Sequence, residues 1–392
     1  MLETLIELKK DIPVIMEYGE PEKIIIQIVK KYNIDSVYLN TDYTPYSIER
    51  DKKISEALTK IKKQFNTYDD IPLNAPTKFK PYKVFTPYYN IAKKNKVSNK
   101  PLNPNIAKII KTTNQSVNIN SLLSKYDNKS SKLRQHGGRQ EAIKLLKNLK
   151  NHKHYSFDRN ILSKSTSRLS PYIKFGVLSI REVYREAPTT DFKKELYWRD
   201  FYIQIAYHFP NILTYAKPQN FKFEERTMKY DIAQNFKDIK VKWKFNKKLY
   251  DAWCNGQTNI PIVDAAINEL LQTGYMHNRC RMITASVFTK LFHLDWRLGE
   301  QFFAQKLTDY DPCSNNGGWQ WASGTGADAQ PYFRIFNPYP QAEKYDPQCE
   351  YIKKWCPKYK NLSPKDIFNI RSEIFNYEEA RAWSIDNFKN AD

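Results

Sequence analysis

The sequence has no apolar run long enough to cross a bilayer. The longest, Ile24 to Ile26 with Ile28 and Val29, is far short of the roughly 20 residues a helical span needs. Cysteine is scarce. Cys254, Cys280, Cys313, Cys349 and Cys356 are odd in number and form no C-x-x-C pair, which argues against a disulfide framework or a zinc ribbon and for reduced thiols. The six histidines show no H-E-x-x-H spacing, so a protein metal site is not expected. There is no Walker loop, and Ser323-Gly324-Thr325-Gly326 is not the dinucleotide fingerprint G-x-G-x-x-G. The start, Met1 to Glu7, is acidic and amphipathic and lacks a signal-peptide core. Acid is the charge in short supply, with 42 Asp and Glu against 63 Lys and Arg, a net +21. These absences leave a soluble, basic, intracellular protein. Its charge favours a polyanionic partner, nucleic acid first; simple solubility of a Lys-rich chain is the alternative.

Composition divides the chain. Residues 1–70 sum to −2, 71–150 to +15 and 151–392 to +8. All eight tryptophans lie from Trp198 onward. Residues 1–90 alternate strand and helix signals. Ile12-Pro13-Val14-Ile15-Met16 reads as a strand, Pro21 opens a helix through Ile24, Ile28 and Val29, and Ser36-Val37-Tyr38-Leu39 reads as a second strand. Ile48 to Phe65 has helical spacing through Ile54, Leu58 and Ile61. That alternation implies a parallel sheet covered on both faces, yet with fewer strands than a stable doubly wound sheet usually has. Residues 91–135, rich in Lys, Asn, Ser and Pro, read as a basic linker. Residues 136–392 read as helical, with patterns over Ala142 to Leu149 and over 179–187, 191–208, 247–254, 261–273, 278–292 and 297–306. The expected fold is therefore a partial Rossmann-like α/β domain at 1–90, a linker, and a larger all-α domain.

Four segments concentrate chemistry. Glu195, Trp198 and Arg199 share a helical face, where an indole beside a guanidinium and a carboxylate can stack on a base and bond its edge; a surface ion pair beside a core indole is the competing reading. Asn278, Arg281 and Met282 share another face, and Arg281 can pair with Asp309 or Asp311. Asn315-Asn316-Gly317-Gly318-Trp319-Gln320-Trp321 reads as a loop where backbone meets a ligand, or as a turn into two core indoles. Thr166-Ser167-Arg168-Leu169-Ser170-Pro171 offers hydroxyls, amides and a guanidinium to phosphate, or else caps a helix.

In order and spacing, these segments resemble the photolyase/cryptochrome flavoprotein family. The resemblance covers residues 137–356 through Thr166 to Tyr172, Glu195 to Tyr202, Trp253, Gly256 to Ala265, Gly274 to Arg279, Asp295-Trp296-Arg297, Asn315 to Trp321 and Tyr332 to Pro338. Residues 1–90 resemble the later part of that family's α/β domain, including Tyr82 to Pro87. The resemblance implies FAD folded into a U inside the helical domain. Tyr155, Thr166, Ser167, Arg168, Leu169 and Ser170 match positions holding its phosphates and adenine. Arg281, Asp309, Tyr310 and Asp311 match positions around the isoalloxazine, the Arg281–Asp309 pair being structural. Asn315 matches the residue facing flavin N5, where an amide favours reduced flavin because it adds no negative charge. Trp319, Trp296 and Trp243 match a three-step electron relay to the surface.

Within the family, Glu195, Trp198, Asn278, Arg279, Met282 and Trp321 match the lesion pocket of class I cyclobutane pyrimidine dimer photolyases, with Arg199, Tyr202 and Gln341 as further DNA-binding positions. The 6-4 photolyases usually carry a second His where Asn278 sits, and DASH cryptochromes usually replace the indole at Trp321. The implied activity is light-driven repair: excited reduced FAD gives an electron to a flipped-out dimer, the cyclobutane splits, and the electron returns. A flipped dimer stacks poorly, so extruding it costs little. Glu195, Asn315 and the three relay indoles form the implied catalytic set, and no nucleophile or metal is required. Family members begin with a strand that this chain lacks. That argues against a folate or deazaflavin antenna, and leaves the expectation that a second chain supplies the missing strands or that the start is misassigned. Otherwise a monomer is expected, off the membrane, not secreted, and located with the DNA in cytoplasm or nucleoid, nucleus or viral factory. The alternatives are a cryptochrome-like blue-light sensor and a flavin-free nucleic-acid-binding protein.

Overall fold

A computed structural model of the chain describes residues 1–97, 117–126, 135–213, 233–329, 331 and 333–391. The first unit is small: α1 (Leu2–Asp11), α2 (Pro21–Lys31), β1 (Ser36–Asn40), α3 (Pro45–Lys60) and β2 (Gln64–Tyr68). The strands pair in parallel, Ser36 opposite Gln64 through Asn40 opposite Tyr68, with α3 as the crossover that parallel pairing requires. Proline stands at the start of both α2 and α3, where its missing N–H costs nothing. Val29, Ile54 and Leu58 are buried between α2 and α3, with Val37 and Phe65 packed on them from the sheet.

Three expectations are corrected in this unit. Residues 12–16 form no strand; Pro13 supplies no ladder donor there, and the sheet has two strands only among the described residues. Phe65 belongs to β2 rather than to the preceding helix, which ends at Lys60. The sheet is also covered on one face, not two. Tyr38 and Tyr68 stack on the other, 61% and 57% exposed, with ring centroids 6.3 Å apart.

The rest is helical: α4 (Phe85–Ala92), α5 (Ile119–Tyr126), α6 (Arg139–Asn148), α7 (Tyr155–Asp158), α8 (Ser170–Lys174), α9 (Ile180–Glu186), α10 (Thr190–His208), α11 (Lys247–Cys254), α12 (Pro261–Thr273) and α13 (Asn278–Ser286). A π-helical turn, Val287–Leu291, continues α13. Then come α14 (Trp296–Lys306), α15 (Pro312–Ser323), α16 (Pro338–Tyr345), α17 (Glu350–Trp355), α18 (Pro364–Asn369) and α19 (Tyr377–Lys389). Side chains cap the helices that matter most: Thr189 for α10, His277 for α13, Asp295 for α14 and Asp311 for α15. Among the described residues, no helix is long and apolar enough to cross a membrane. Much of the linker expected over 91–135 lies outside the described residues, as does Tyr332.

The segment from Asn315 to Trp321 is not a loop but the middle of α15. Gly317 and Gly318 sit inside the helix, and the left-handed residue that ends it is Gly324, with φ 87°. A Cβ on Gly317 would overlap Cδ1 and Cε1 of Tyr202, so this glycine is a point of helix–helix contact.

Two apolar cores lie in the helical part. One gathers Trp253, Phe288, Phe292, Trp296, Phe303 and Trp319. The other joins α10 to the N-terminal segment through Tyr43, Leu73, Phe85, Tyr88 and Ala92. The apolar packing therefore does not break at residue 90. Polar clamps hold the same junction. Asp200, 1% exposed, accepts from the amides of Leu73 (3.1 Å) and Asn74 (2.9 Å). Gln204 bonds both the amide and the carbonyl of Tyr82.

Candidate active site

The segment Thr166–Ser170 reaches the rest of the helical domain through its hydroxyls. Thr166 Oγ1 lies 2.8 Å from the Tyr275 hydroxyl. Ser170 Oγ donates to Asp309 Oδ2 at 2.6 Å, and Arg281 Nη2 donates to both oxygens of Asp309 at 2.9 and 3.1 Å. Three segments far apart in sequence thus meet on one nearly buried carboxylate. Of the two partners open to Arg281, Asp309 is the one paired. Arg168 takes a left-handed conformation, φ 52°, beside a cavity of about 400 Å³ lined also by Lys164, Thr166, Tyr275, His277 and Lys354.

His277 is part of that cavity's lining. Its Nδ1 accepts from the Arg279 amide at 3.1 Å, which caps α13. Burial, then Arg279 and Arg281, push its pKa down to about 4, so the ring is neutral. With Nδ1 accepting, the hydrogen is assigned to Nε2, which is buried without a protein partner.

On α15, Asp311 accepts from the Ser314 amide at 2.9 Å and lies 3.6 Å from Lys174. Burial opposes its charge, but Lys174, Arg199 and the Ser314 bond hold it below the usual carboxylate value. Asn315 gives its amide nitrogen to the carbonyl (3.1 Å) and carboxylate (2.8 Å) of Glu300, which leaves Oδ1 as its free-facing acceptor. Tyr310 has its hydroxyl pKa raised, first by burial and then by Glu300.

The three expected relay indoles differ in exposure. Trp319 is buried among Phe288, Phe303 and Trp253, with Nε1 unpartnered. It lies against Gly299, where a Cβ would overlap its ring. Trp296, one turn before Gly299 on α14, is fully buried and donates to Asn235 Oδ1 at 2.9 Å. Trp243 is half-buried, 6.1 Å from Phe388. The order from buried to exposed runs Trp319 and Trp296, then Trp243.

The expected lesion residues come from α10, α13, α15 and α16. Glu195 pairs with Arg159, and burial raises its pKa even against that guanidinium. Arg279 bonds Asn160 and stacks 4.4 Å from the ring of Tyr345. Asn278 and Arg279 both approach Met282 Sδ, at 3.8 and 3.9 Å. Arg159 and Asn160, adjacent in sequence, therefore tether Glu195 of α10 and Arg279 of α13 to one point. Sequence reading missed both, because neither belongs to a spaced motif. Trp198 lies on Phe85, ring centroids 3.6 Å apart and nearly parallel at 5°. Trp321 is half-buried, 6.2 Å from Phe336, and Gln341 buries an unpartnered Oε1. Arg199 takes a different direction, donating to the Ile71 carbonyl at 2.9 Å. Tyr202 packs on Gly317.

Residues 192–387 match the FAD binding domain of DNA photolyase, and residues 1–105 match the DNA photolyase model. The deoxyribodipyrimidine photo-lyase of Alkalihalophilus pseudofirmus is 36% identical over 348 residues, 84% of this chain and 69% of that protein. The same-named protein of Synechococcus is 33% identical over 385 residues, 90% and 75% of the two chains. An archaeal photolyase from Sulfolobus tokodaii, solved with two FAD molecules, superposes with a TM-score of 0.83 at 32% identity, covering 100% of this chain and 87% of that one.

Proposed function

This chain belongs to the DNA photolyase family, a family of FAD-dependent, light-driven DNA repair lyases, and from that premise we propose that it repairs cyclobutane pyrimidine dimers with the residues named above. The observation that carries the reading is the Arg159–Asn160 tether, which brings the carboxylate of Glu195 and the guanidinium of Arg279 to one site, Glu195 lying one turn before Trp198 on α10. A carboxyl, a guanidinium and an indole wall suit a flipped, poorly stacked pyrimidine pair.

The residues present fit FAD. Thr166, Arg168, Tyr275 and His277 line one cavity; the Thr166–Tyr275 hydroxyl contact and the Ser170–Asp309–Arg281 set hold the chain next to it. Thr166, Ser167, Arg168, Leu169 and Ser170, with Tyr155, would hold the phosphate and adenine end. Arg281, Asp309, Tyr310 and Asp311 would hold the isoalloxazine end. Bound and reduced, FAD supplies on excitation the electron that splits the cyclobutane, and that electron returns with no net redox change. The protein's share is positioning. Asn315, its nitrogen committed to Glu300, offers an oxygen to an N–H donor and adds no charge. Trp319, Trp296 and Trp243 form the route by which oxidised flavin is reduced. Glu195 and Asn278 bond pyrimidine edges, Trp198 and Trp321 wall the slot, and Arg279, Met282 and Gln341 border it.

Incubating the flavin-loaded protein with a thymine-dimer oligonucleotide in light and in darkness tests the proposal. Loss of dimer in light alone is expected. A reduced, flavin-bound protein that leaves the dimer intact in light refutes it, and a light-driven flavin change without repair points to a sensor.

A further inference from the structure

The two indoles read above as slot walls are each held by packed neighbours. Phe85, 2% exposed, lies flat against one face of Trp198, a half-buried indole whose ring centroid also lies 5.9 Å from that of Tyr202. Phe201 meets both rings edge-on, at 5.7 and 5.6 Å, which blocks rotation of the stacked pair. Phe85 is itself pinned. The segment before it is clamped to α10 by Asp200, Arg199 and Gln204.

The second support is a spacing device. Tyr202 is one turn after Trp198 on α10, and Gly317 is one turn before Trp321 on α15. Tyr202 rests on the bare Cα of Gly317, with no room for a Cβ. The distance between the two helices, and hence between the indoles each carries a turn away, is set at that contact.

We propose that Phe85 and Gly317 are specificity-determining positioning residues, fixing the plane of Trp198 and the width of the slot between Trp198 and Trp321. The inference rests on the lesion-pocket reading of those two indoles. A flat ring behind Trp198 holds the indole parallel to an incoming pyrimidine; an aliphatic side chain of similar volume fills the space but lets the indole tilt.

The test uses flavin-loaded full-length protein and compares Phe85→Leu with Phe85→Tyr. Phe85→Leu is expected to raise KM and the Kd for dimer-containing duplex about 2- to 10-fold, the range an aromatic pair is worth. The Kd for undamaged duplex, the saturating kcat, flavin absorbance and flavin photoreduction stay at wild-type values. Phe85→Tyr keeps the flat ring and keeps the wild-type KM. Gly317→Ala is expected to lose dimer selectivity in the same pattern, and wild-type selectivity in a folded, flavin-bound Gly317→Ala protein overturns its share of the assignment. Equal KM for Phe85→Leu and wild type overturns the assignment, as does equal loss in the Leu and Tyr variants or flavin loss in step with dimer affinity. Wild-type protein with no light-dependent repair refutes the photolyase reading itself, and this assignment with it.

Discussion

Replacing Asp200 by Asn should change how stability depends on pH, and the sign follows from its burial. The carboxyl is 1% exposed, and each oxygen accepts one backbone amide, from Leu73 and Asn74. Burial pushes its pKa from 3.8 up to about 7, against the pull of Arg199 and those amides. At 1.36 kcal/mol per unit, ionising it in the folded protein costs about 4 kcal/mol more than in the unfolded chain. Because the folded value is the raised one, that stability is intact below pH 4, is lost as pH climbs to 7, and stays lost above it. Tyr43, Tyr88 and Tyr197 face Asp200, and burial raises their hydroxyls far above neutrality, so they do not titrate in that window. The amide of Asp200→Asn cannot accept both backbone N–H groups, a loss of about 1–3 kcal/mol at every pH. The variant should therefore melt below wild type at pH 4.5, and the gap should close or reverse by pH 8. Thermal melts of flavin-loaded protein across that range measure it. A gap that is constant with pH, or that widens as pH rises, refutes the reasoning.

Two further outcomes can be checked quickly. Trp319→Phe and Trp296→Phe should each leave flavin binding intact while slowing light-driven reduction of oxidised flavin, read as bleaching of its absorbance with an external donor; wild-type bleaching in both removes them from the relay. Asp309→Ala strands the Arg281 guanidinium and the Ser170 hydroxyl, a change worth about 3–5 kcal/mol. Flavin should be released on heating at a lower temperature, and release at the wild-type temperature contradicts the shared role of that carboxylate.

Helix positions were readable because periodicity and capping agree. Thr189, His277 and Asp295 cap helices that begin within one or two residues of where the apolar spacing starts. The Asn315–Trp321 segment failed for a local reason. Two glycines and two asparagines favour a turn on propensity, but Gly317 is needed for contact with Tyr202, and Asn316 bonds the Ile212 carbonyl and Gln320. Tertiary packing overrode propensity, and nothing within the segment could signal it. The Ile12–Met16 stretch failed because apolar run length alone does not supply a neighbouring strand. The Arg281–Asp309 pair was legible as charge complementarity, whereas Ser170 joining it was not. Arg159 and Asn160 escaped for the same reason as Phe85: each acts on a residue far away in sequence, and a lone Arg or Phe carries no spacing to read.

The Glu195–Arg159 pair makes the final expectation, because the carboxyl has two jobs that conflict. A pyrimidine edge presents an N3–H donor beside a C4 carbonyl acceptor. A carboxylate can only accept, but a protonated carboxyl accepts from N3–H and donates to the carbonyl. Burial raises the pKa of Glu195 and so favours the second form, while Arg159 opposes it. Dimer affinity should then fall as pH rises through the Glu195 value, by about fivefold for one hydrogen bond. Arg159→Met removes the opposing charge and should move that fall to higher pH. Glu195→Gln carries a donor and an acceptor at every pH, so it should hold the low-pH affinity throughout, whereas Glu195→Ala should lose it throughout. Kd for dimer duplex divided by Kd for undamaged duplex, taken in darkness from pH 5 to 9, cancels the phosphate contacts common to both. Asp200 titrates in the same window, but it is unchanged in Glu195→Gln, so any slope remaining in that variant belongs to Asp200 and can be subtracted. A flat wild-type ratio, together with Glu195→Gln no tighter than Glu195→Ala, removes Glu195 from the pyrimidine edge and leaves its pairing with Arg159 a purely structural bond.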